Sequence, residues 1–333
     1  MNFWYQKDRW ARMSAWLLAP LSLLFWGITA LRRTAYRTGI FKSWKAPVPV
    51  VVIGNLSVGG NGKTPFTIWL ARQLQRQGLK VGVVSRGYVP GNNEVKNYPQ
   101  LVNPNSNPAE VGDEPVLMAR RSGAKIAVSP NRRRSIELLH KAYHIDVILS
   151  DDGLQHYALQ RDVEVVIVDG ERRFGNGFLM PAGPLRELPS RLKQADAVVC
   201  NGAAAQAQEI QMRLRANVAV NLLTQEERRL SDFIGQPLVA MAAIGNPQRF
   251  FNMLNSLGLN VVKQKAFVDH AKLSPEKLNN LTKAEQSLFM TEKDAVKCHK
   301  FARENWWYVP VEAELEPTIN TIVAKIMQEV KGE

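Results

Sequence analysis

Cysteine is almost missing from this chain: Cys200 and Cys298 are the only two in 333 residues. They have no metal or redox spacing, which excludes a disulfide scaffold and a zinc or Cys-x-x-Cys centre and fits a reduced cytoplasmic setting. Internal repeats and low-complexity tracts are absent too. Acidic residues are scarce at the N-terminus. Residues 1–45 hold eight Lys or Arg against the single acid Asp8, so this stretch carries +7 of the chain's +13. The basic excess lies beside an apolar segment. That placement points to an anionic membrane surface. With no recognisable nucleic-acid module beside it, it speaks against a nucleic-acid-dependent ATPase.

The apolar segment is the one long run without charge, Met13 to Leu31. As a helix it measures about 28 Å, close to one hydrocarbon thickness. Lys7, Ser14, Ser22 and Thr29 form a thin polar stripe along it, and Pro20 should kink it. Five of the eight tryptophans (Trp4, Trp10, Trp16, Trp26, Trp44) lie in the first 44 residues, as interfacial anchors do. No small-residue cleavage site follows, so a signal peptide is disfavoured. Basic clusters flank both ends, so the positive-inside rule gives no clear orientation. The favoured expectation is a helix buried in one leaflet, holding the protein to the cytoplasmic face of the membrane.

Ser57-Val58-Gly59-Gly60-Asn61-Gly62-Lys63-Thr64 follows the apolar run Val48 to Ile53 and precedes an amphipathic stretch. Strand, glycine-rich turn, Lys-Thr and helix in that order describe a phosphate cradle. Glycines let backbone N–H groups turn toward an anion, and the helix adds its positive end. Lys63 can reach the outer phosphates, and the Thr64 hydroxyl can hold Mg²⁺. The usual G-x-x-x-x-G-K-[ST] pattern opens here on Ser57 instead of Gly. ATP with Mg²⁺ is the expected cofactor pair.

Short Val/Ile runs alternate with helical stretches from Val48 to Cys200, the pattern of a parallel sheet covered on both faces. Thr224–Gln236 reads as a polar connection, and a second alternation follows. The expected fold is therefore α/β: a P-loop NTPase-type parallel sheet, a second, smaller α/β domain and an N-terminal membrane-associated helix. The expected divisions are 1–33, 34–226 and 227–333. Residues 90–108 read as a long exposed loop.

Functional residues should gather beyond the carboxyl ends of the strands. Asp151 and Asp152 end the strand 147–150, where a P-loop protein holds Mg²⁺ directly or through water. Arg86 ends another strand and suits a phosphate through its planar fork. His156 lies just past the Asp pair. Asp113 starts a helix; it reads as an N-cap or as the base that a hydroxyl nucleophile needs. His270, in the second domain, could orient that base across a closing cleft. Pro181-Ala182-Gly183-Pro184-Leu185-Arg186-Glu187 and Thr291-Glu292-Lys293-Asp294 read equally as capping chemistry or substrate contacts.

Together these residues resemble the lipid A 4′-kinase (tetraacyldisaccharide 4′-kinase) family. The resemblance rests on the N-terminal helix, Gly54 to Pro65, Ser85-Arg86-Gly87-Tyr88, Gly112-Asp113-Glu114-Pro115, Asp151-Asp152-Gly153-Leu154-Gln155-His156, Pro181 to Glu187, Asp269-His270 and Thr291 to Asp294, in the family's order. Asn61 stands where the family usually has Thr, and Ala271 where a second His is common. The resemblance implies transfer of the ATP γ-phosphate to the 4′-hydroxyl of a tetraacylated glucosamine disaccharide 1-phosphate at the cytoplasmic face of the inner membrane. In that reading Lys63, Asp113 and His270 are catalytic. Thr64 with Asp151 or Asp152 holds the metal, and Arg86, His156 and Glu187 bind substrate. The competing class is a membrane-bound P-loop ATPase switch that recruits protein partners. Val58 stands where such switches carry an extra lysine.

Overall fold

The computed structural model describes residues 2–87, 98–202, 206–269, 271–283 and 286–332. Tyr88 and His270, both singled out in the sequence, lie outside them. A single long helix, α1 (Arg9–Arg37), opens the chain. The first half then runs β1 (Val50–Gly54), α2 (Lys63–Arg76), β2 (Val81–Ser85), β3 (Gln100–Val102), α3 (Pro108–Val111), α4 (Asp113–Ser122), β4 (Lys125–Val128), α5 (Arg132–Tyr143) and β5 (Val147–Asp151). It continues with β6 (Val163–Asp169), β7 (Ala197–Asn201), β8 (Glu209–Arg215), β9 (Val218–Asn221) and β10 (Glu227–Arg229). The rest is β11 (Pro237–Ala242), α6 (Pro247–Ser256), β12 (Asn260–Ala266), α7 (Pro275–Asn279), β13 (Ser287–Thr291), α8 (Glu292–Cys298), β14 (Trp306–Val309), β15 (Glu312–Leu315) and α9 (Asn320–Lys331).

These strands make two sheets. The nine-stranded sheet has the order β15-β8-β7-β6-β1-β5-β2-β4-β3. Its inner strands are parallel and its two edge strands antiparallel. Every residue of β1, β2, β5 and β6 is buried, as expected of Val/Ile strands covered on both faces. Phe66, Leu70 and Leu74 of α2 pack onto this sheet; burying each contributes about 1.5–3 kcal/mol. The second sheet has the order β10-β9-β14-β13-β11-β12. Phe233 anchors its core edge-on to Phe289 and Trp307, with ring centroids 5.0 Å from each.

The sheets do not divide at residue 226. β9 already belongs to the second sheet, while β15 returns to pair with β8. Helix α9 sends Ile322 and Ile326 into the core of the first sheet. The C-terminal apolar residues therefore serve the first domain, and the chain crosses between the sheets twice. The stretch expected as a loop contains β3, and the expected polar connection contains β10; both are too short to show a period.

Helix α1 runs unbroken through Pro20 and lies against the body. Ala11, Ala15 and Ser22 form its buried stripe. Ser22 Oγ donates to Leu179 O at 2.7 Å and accepts from Ala182 N at 3.0 Å. Trp16 packs edge-on to Phe178. The opposite stripe is apolar and open: Trp10, Leu17, Leu24 and Leu31 are 61–81% exposed.

Candidate active site

The carboxyl ends of β1, β2, β5, β6 and β7 share one edge of the first sheet, as parallel pairing requires. The loop after β1 is braced there. Asn55 Nδ2 donates to Ser57 O (2.6 Å), Asn61 Nδ2 to Ser57 Oγ (3.0 Å) and Asn201 Nδ2 to Asn61 O (3.0 Å). Gly62 has φ +95°, and a Cβ there would meet Asn201 Nδ2 at 2.4 Å, so only glycine fits. Lys63 and Thr64 begin α2. The second sheet closes on the loop from above: Gly245, after β11, sits so near Gly60 that a Cβ would fall 2.3 Å from its N. Gly59 to Thr64, Asn201, Gly245, Phe250, Met253 and Lys293 line a cavity of about 560 Å³ between the sheets.

Lys63 Nζ lies 3.4 Å from Asp152 Oδ1. Arg186 donates to the same carboxylate at 3.1 and 3.2 Å. Burial works against the Asp152 charge, but Lys63 and Arg186 outweigh it and hold the carboxyl well below its usual range. Asp151 is different. It is 1% exposed, its Oδ2 accepts from Ser85 Oγ at 3.5 Å, and its Oδ1 has no partner. Burial first, then Glu114, pushes its pKa up to about 7. A buried carboxylate oxygen left without a partner beside a second carboxylate suits a hard cation, which binds one or two carboxylates and takes its other ligands from phosphate and water. No cluster of three or more His, Cys, Asp or Glu able to hold a metal occurs among the described residues.

Asp152 also faces a second cavity, of about 750 Å³, whose wall carries Arg32 and Arg33 from α1 together with Arg86, Arg132, His156, Arg186 and Glu187. Glu187 is held by Gln155 Nε2 (3.0 Å) and Tyr157 OH (2.7 Å), and lies 3.6 Å from Arg33. Burial, then Arg132 and its neighbouring arginines, lowers the His156 pKa to about 4, so the ring is neutral at pH 7. Burial likewise lowers Arg132 to about 10 despite Asp151 and Asp152.

Asp113 and Glu114 open α4, and the second sheet meets both. Lys297 Nζ of α8 is 3.3 Å from Asp113 Oδ2, and Lys293 Nζ is 2.8 Å from Glu114 Oε1 and 3.5 Å from Asp269 Oδ1. Lys293 is the chief cause of Glu114's lowered pKa. The same acids outweigh burial and raise the pKa of Lys293. Gly112, not Asp113, takes the N-cap position, and Asp113 Oδ1 accepts from the Glu114 N–H.

The family model for tetraacyldisaccharide-1-P 4′-kinase matches residues 14–328. The chain belongs to that family. A tetraacyldisaccharide 4′-kinase of Actinobacillus pleuropneumoniae serotype 5b (strain L20) is 54% identical over 317 residues, 95% of each chain. That of Histophilus somni (strain 2336) is 50% identical over 332 residues, 99% of each. Among solved structures, LpxK from Aquifex aeolicus in complex with ATP matches with a TM-score of 0.77 and 27% identity, covering 95% of this chain and 99% of that one.

Within this family member, Ser57 to Thr64, Asp151 and Asp152 come together as the sequence suggests, and Arg86, His156 and Glu187 share one cavity. Asp113 stands with Glu114, Lys293 and Lys297 at the join of the sheets. Four contributors escape sequence reasoning. Arg186 and Glu114 lie inside recognisable motifs, but their roles depend on partners far along the chain. Lys293 and Lys297 sit on α8, which follows β13 without a loop and is too short to show a helical period. Lys293 belongs to the Thr291–Asp294 motif, and for Lys297 the i, i+4 spacing from Lys293 is the one available signal. Thr291 caps α8, its Oγ1 accepting from Asp294 N, while buried Asp294 ties α8 to the segment after β11 by accepting from Ala243 N.

Proposed function

We infer that this protein transfers the γ-phosphate of ATP to the 4′-hydroxyl of a tetraacylated glucosamine disaccharide 1-phosphate, a step of lipid A assembly. One observation carries the reading. The Lys63–Asp152 ion pair bridges a glycine-lined cavity suited to a nucleotide and an arginine-lined cavity walled by the apolar helix α1. A polyphosphate and an anionic lipid headgroup would meet at that pair.

In this mechanism the backbone of Ser57 to Gly62 cradles the β- and γ-phosphates, and Lys63 neutralises their oxygens. Thr64 and Asp151 would hold Mg²⁺, which would supply further positive charge to the phosphates. Asp152 keeps Lys63 and Arg186 in place. Asp113, with the Lys297 ammonium beside it, accepts the proton of the attacking hydroxyl. Arg86, His156 and Glu187, with Arg32 and Arg33, hold the disaccharide and its phosphate.

Helix α1 lies in the membrane interface, at the cytoplasmic face where ATP is present, and does not cross the membrane. Its contacts with the body extend from Ala11 to Arg33, about 33 Å along the helix axis. A spanning orientation would carry the irregular backbone of loop 174–187, with Arg186 and Glu187, through hydrocarbon, whereas an in-plane helix leaves the Trp10–Leu17–Leu24–Leu31 stripe to the lipid.

The test is phosphate transfer from γ-labelled ATP to the tetraacyl-disaccharide 1-phosphate in detergent micelles, with wild type beside Lys63→Ala. Labelled lipid from wild type alone is the expected result. Steady ATP hydrolysis with no labelled lipid would favour the membrane-bound ATPase switch instead.

A further inference from the structure

The residues before α1 lie ahead of the span matched by the family model, yet they are docked into the body. Trp4 Nε1 donates to Pro181 O at 3.0 Å, and Trp4 O accepts from Asn176 N at 2.9 Å. This seats Tyr5 behind the phosphate loop. Its hydroxyl donates to Val58 O at 3.3 Å. The Arg172 guanidinium stacks over its ring at 4.8 Å. The same guanidinium donates to Gly245 O at 2.6 Å, and Gly245 is the residue seated on Gly60.

One phenol thus touches the phosphate loop, and through Arg172 it supports the segment of the second sheet that covers that loop. We propose that Tyr5 is a positioning residue for nucleotide binding. It links the N-terminal segment to the glycine loop and to Arg172, and so holds Val58, Gly60 and Gly245 in the arrangement a polyphosphate needs. The proposal rests on the kinase reading. Its physical basis is that glycine-rich backbone has wide conformational freedom, and freedom removed before binding is not lost on binding.

The test uses the full-length protein in detergent. It compares Tyr5→Ala, Tyr5→Phe, Arg172→Met, the Tyr5→Ala/Arg172→Met double variant and Trp4→Phe. The readouts are affinity for a fluorescent ATP analogue, KM for ATP and for lipid, and Tm. Tyr5→Ala should weaken nucleotide affinity about fivefold, Tyr5→Phe about twofold, with lipid KM within about twofold of wild type. The double variant should be little worse than the stronger single, as for groups acting as one unit. Trp4→Phe removes one bond from the same segment but none to Val58 or Arg172, and it keeps the Asn176 N–Trp4 O bond that helps to seat Tyr5, so it should weaken nucleotide affinity less than Tyr5→Phe does. Unchanged affinity in both Tyr5 variants overturns the proposal. So does a pattern in which Trp4→Phe and Tyr5→Phe lower Tm and shift both KM values alike, since that marks docking alone. The nucleotide-binding readout needs no acceptor, so a wild type that binds ATP but labels no lipid counts against the kinase reading and not against Tyr5.

Discussion

On one side of the Lys63–Asp152 pair the cavity wall is Arg32, Arg33, Arg86, Arg132 and Arg186, with part of it supplied by a helix whose far face is bare Trp and Leu. On the other side the wall is Gly59, Gly60, Gly62 and Gly245, with Phe250 and Met253 from the second sheet. In the proposed reading the first wall recognises charge with side chains. The second adds backbone to the Lys63 side chain, and its glycines are kept by close approach: Gly245 against Gly60, and Gly62 against Asn201. On that reading the two substrates are held by different physics. Side-chain recognition should tolerate graded weakening, and backbone recognition should fail sharply when atoms are added.

The largest effect should come from removing the proposed base. Asp113→Ala should lower kcat about 1000-fold while nucleotide affinity holds, measured by single-turnover transfer beside equilibrium binding. A rate near wild type would remove Asp113 as the base. Gly245→Ala comes next. Its Cβ must displace Gly60, and on the order of a tenfold rise in the KM for ATP is expected from so small a change. Glu187→Gln keeps the side-chain size but removes the charge near Arg33, and should raise the lipid KM about fivefold with the KM for ATP unmoved.

The smallest effect is on stability. The His156 pKa is lowered in the folded protein, so its contribution is fully present above the unfolded value near 6.5 and is lost as pH falls through about 4. His156→Gln should flatten the fall in Tm over that window by an amount worth about 1 kcal/mol, the partly solvated ring screening the rest.

Much of this site is legible in the sequence because it is local. The phosphate loop occupies eight consecutive residues, and Asp151-Asp152 directly ends a Val-Ile-Leu strand. Central strands such as Val163–Asp169 announce themselves as continuous apolar runs. What escapes the sequence is what topology assembles. Nothing near Glu312–Leu315 says that it returns to β8, because a short edge strand carries no period of its own. Lys293 and Lys297 meet Glu114 and Asp113 only because the chain crosses between the sheets. Arg186 reaches Asp152 because loop 179–187 is hydrogen-bonded both to Ser22 of α1 and to the phosphate loop, through Pro184 O with Val58 N and Leu56 O with Arg186 N. The open stripe of α1 is visible as hydropathy, but its buried stripe is not. By sequence Ser22 belongs to a polar face, whereas the fold uses it to hold the loop that carries Arg186.

The most direct measurement is a crossed determination of both KM values, for ATP and for the tetraacyl-disaccharide 1-phosphate, on Gly245→Ala and Glu187→Gln in one micellar assay. The account expects Gly245→Ala to move only the ATP value and Glu187→Gln only the lipid value. Equal movement of both values in both variants would contradict the claim that each cavity serves one substrate.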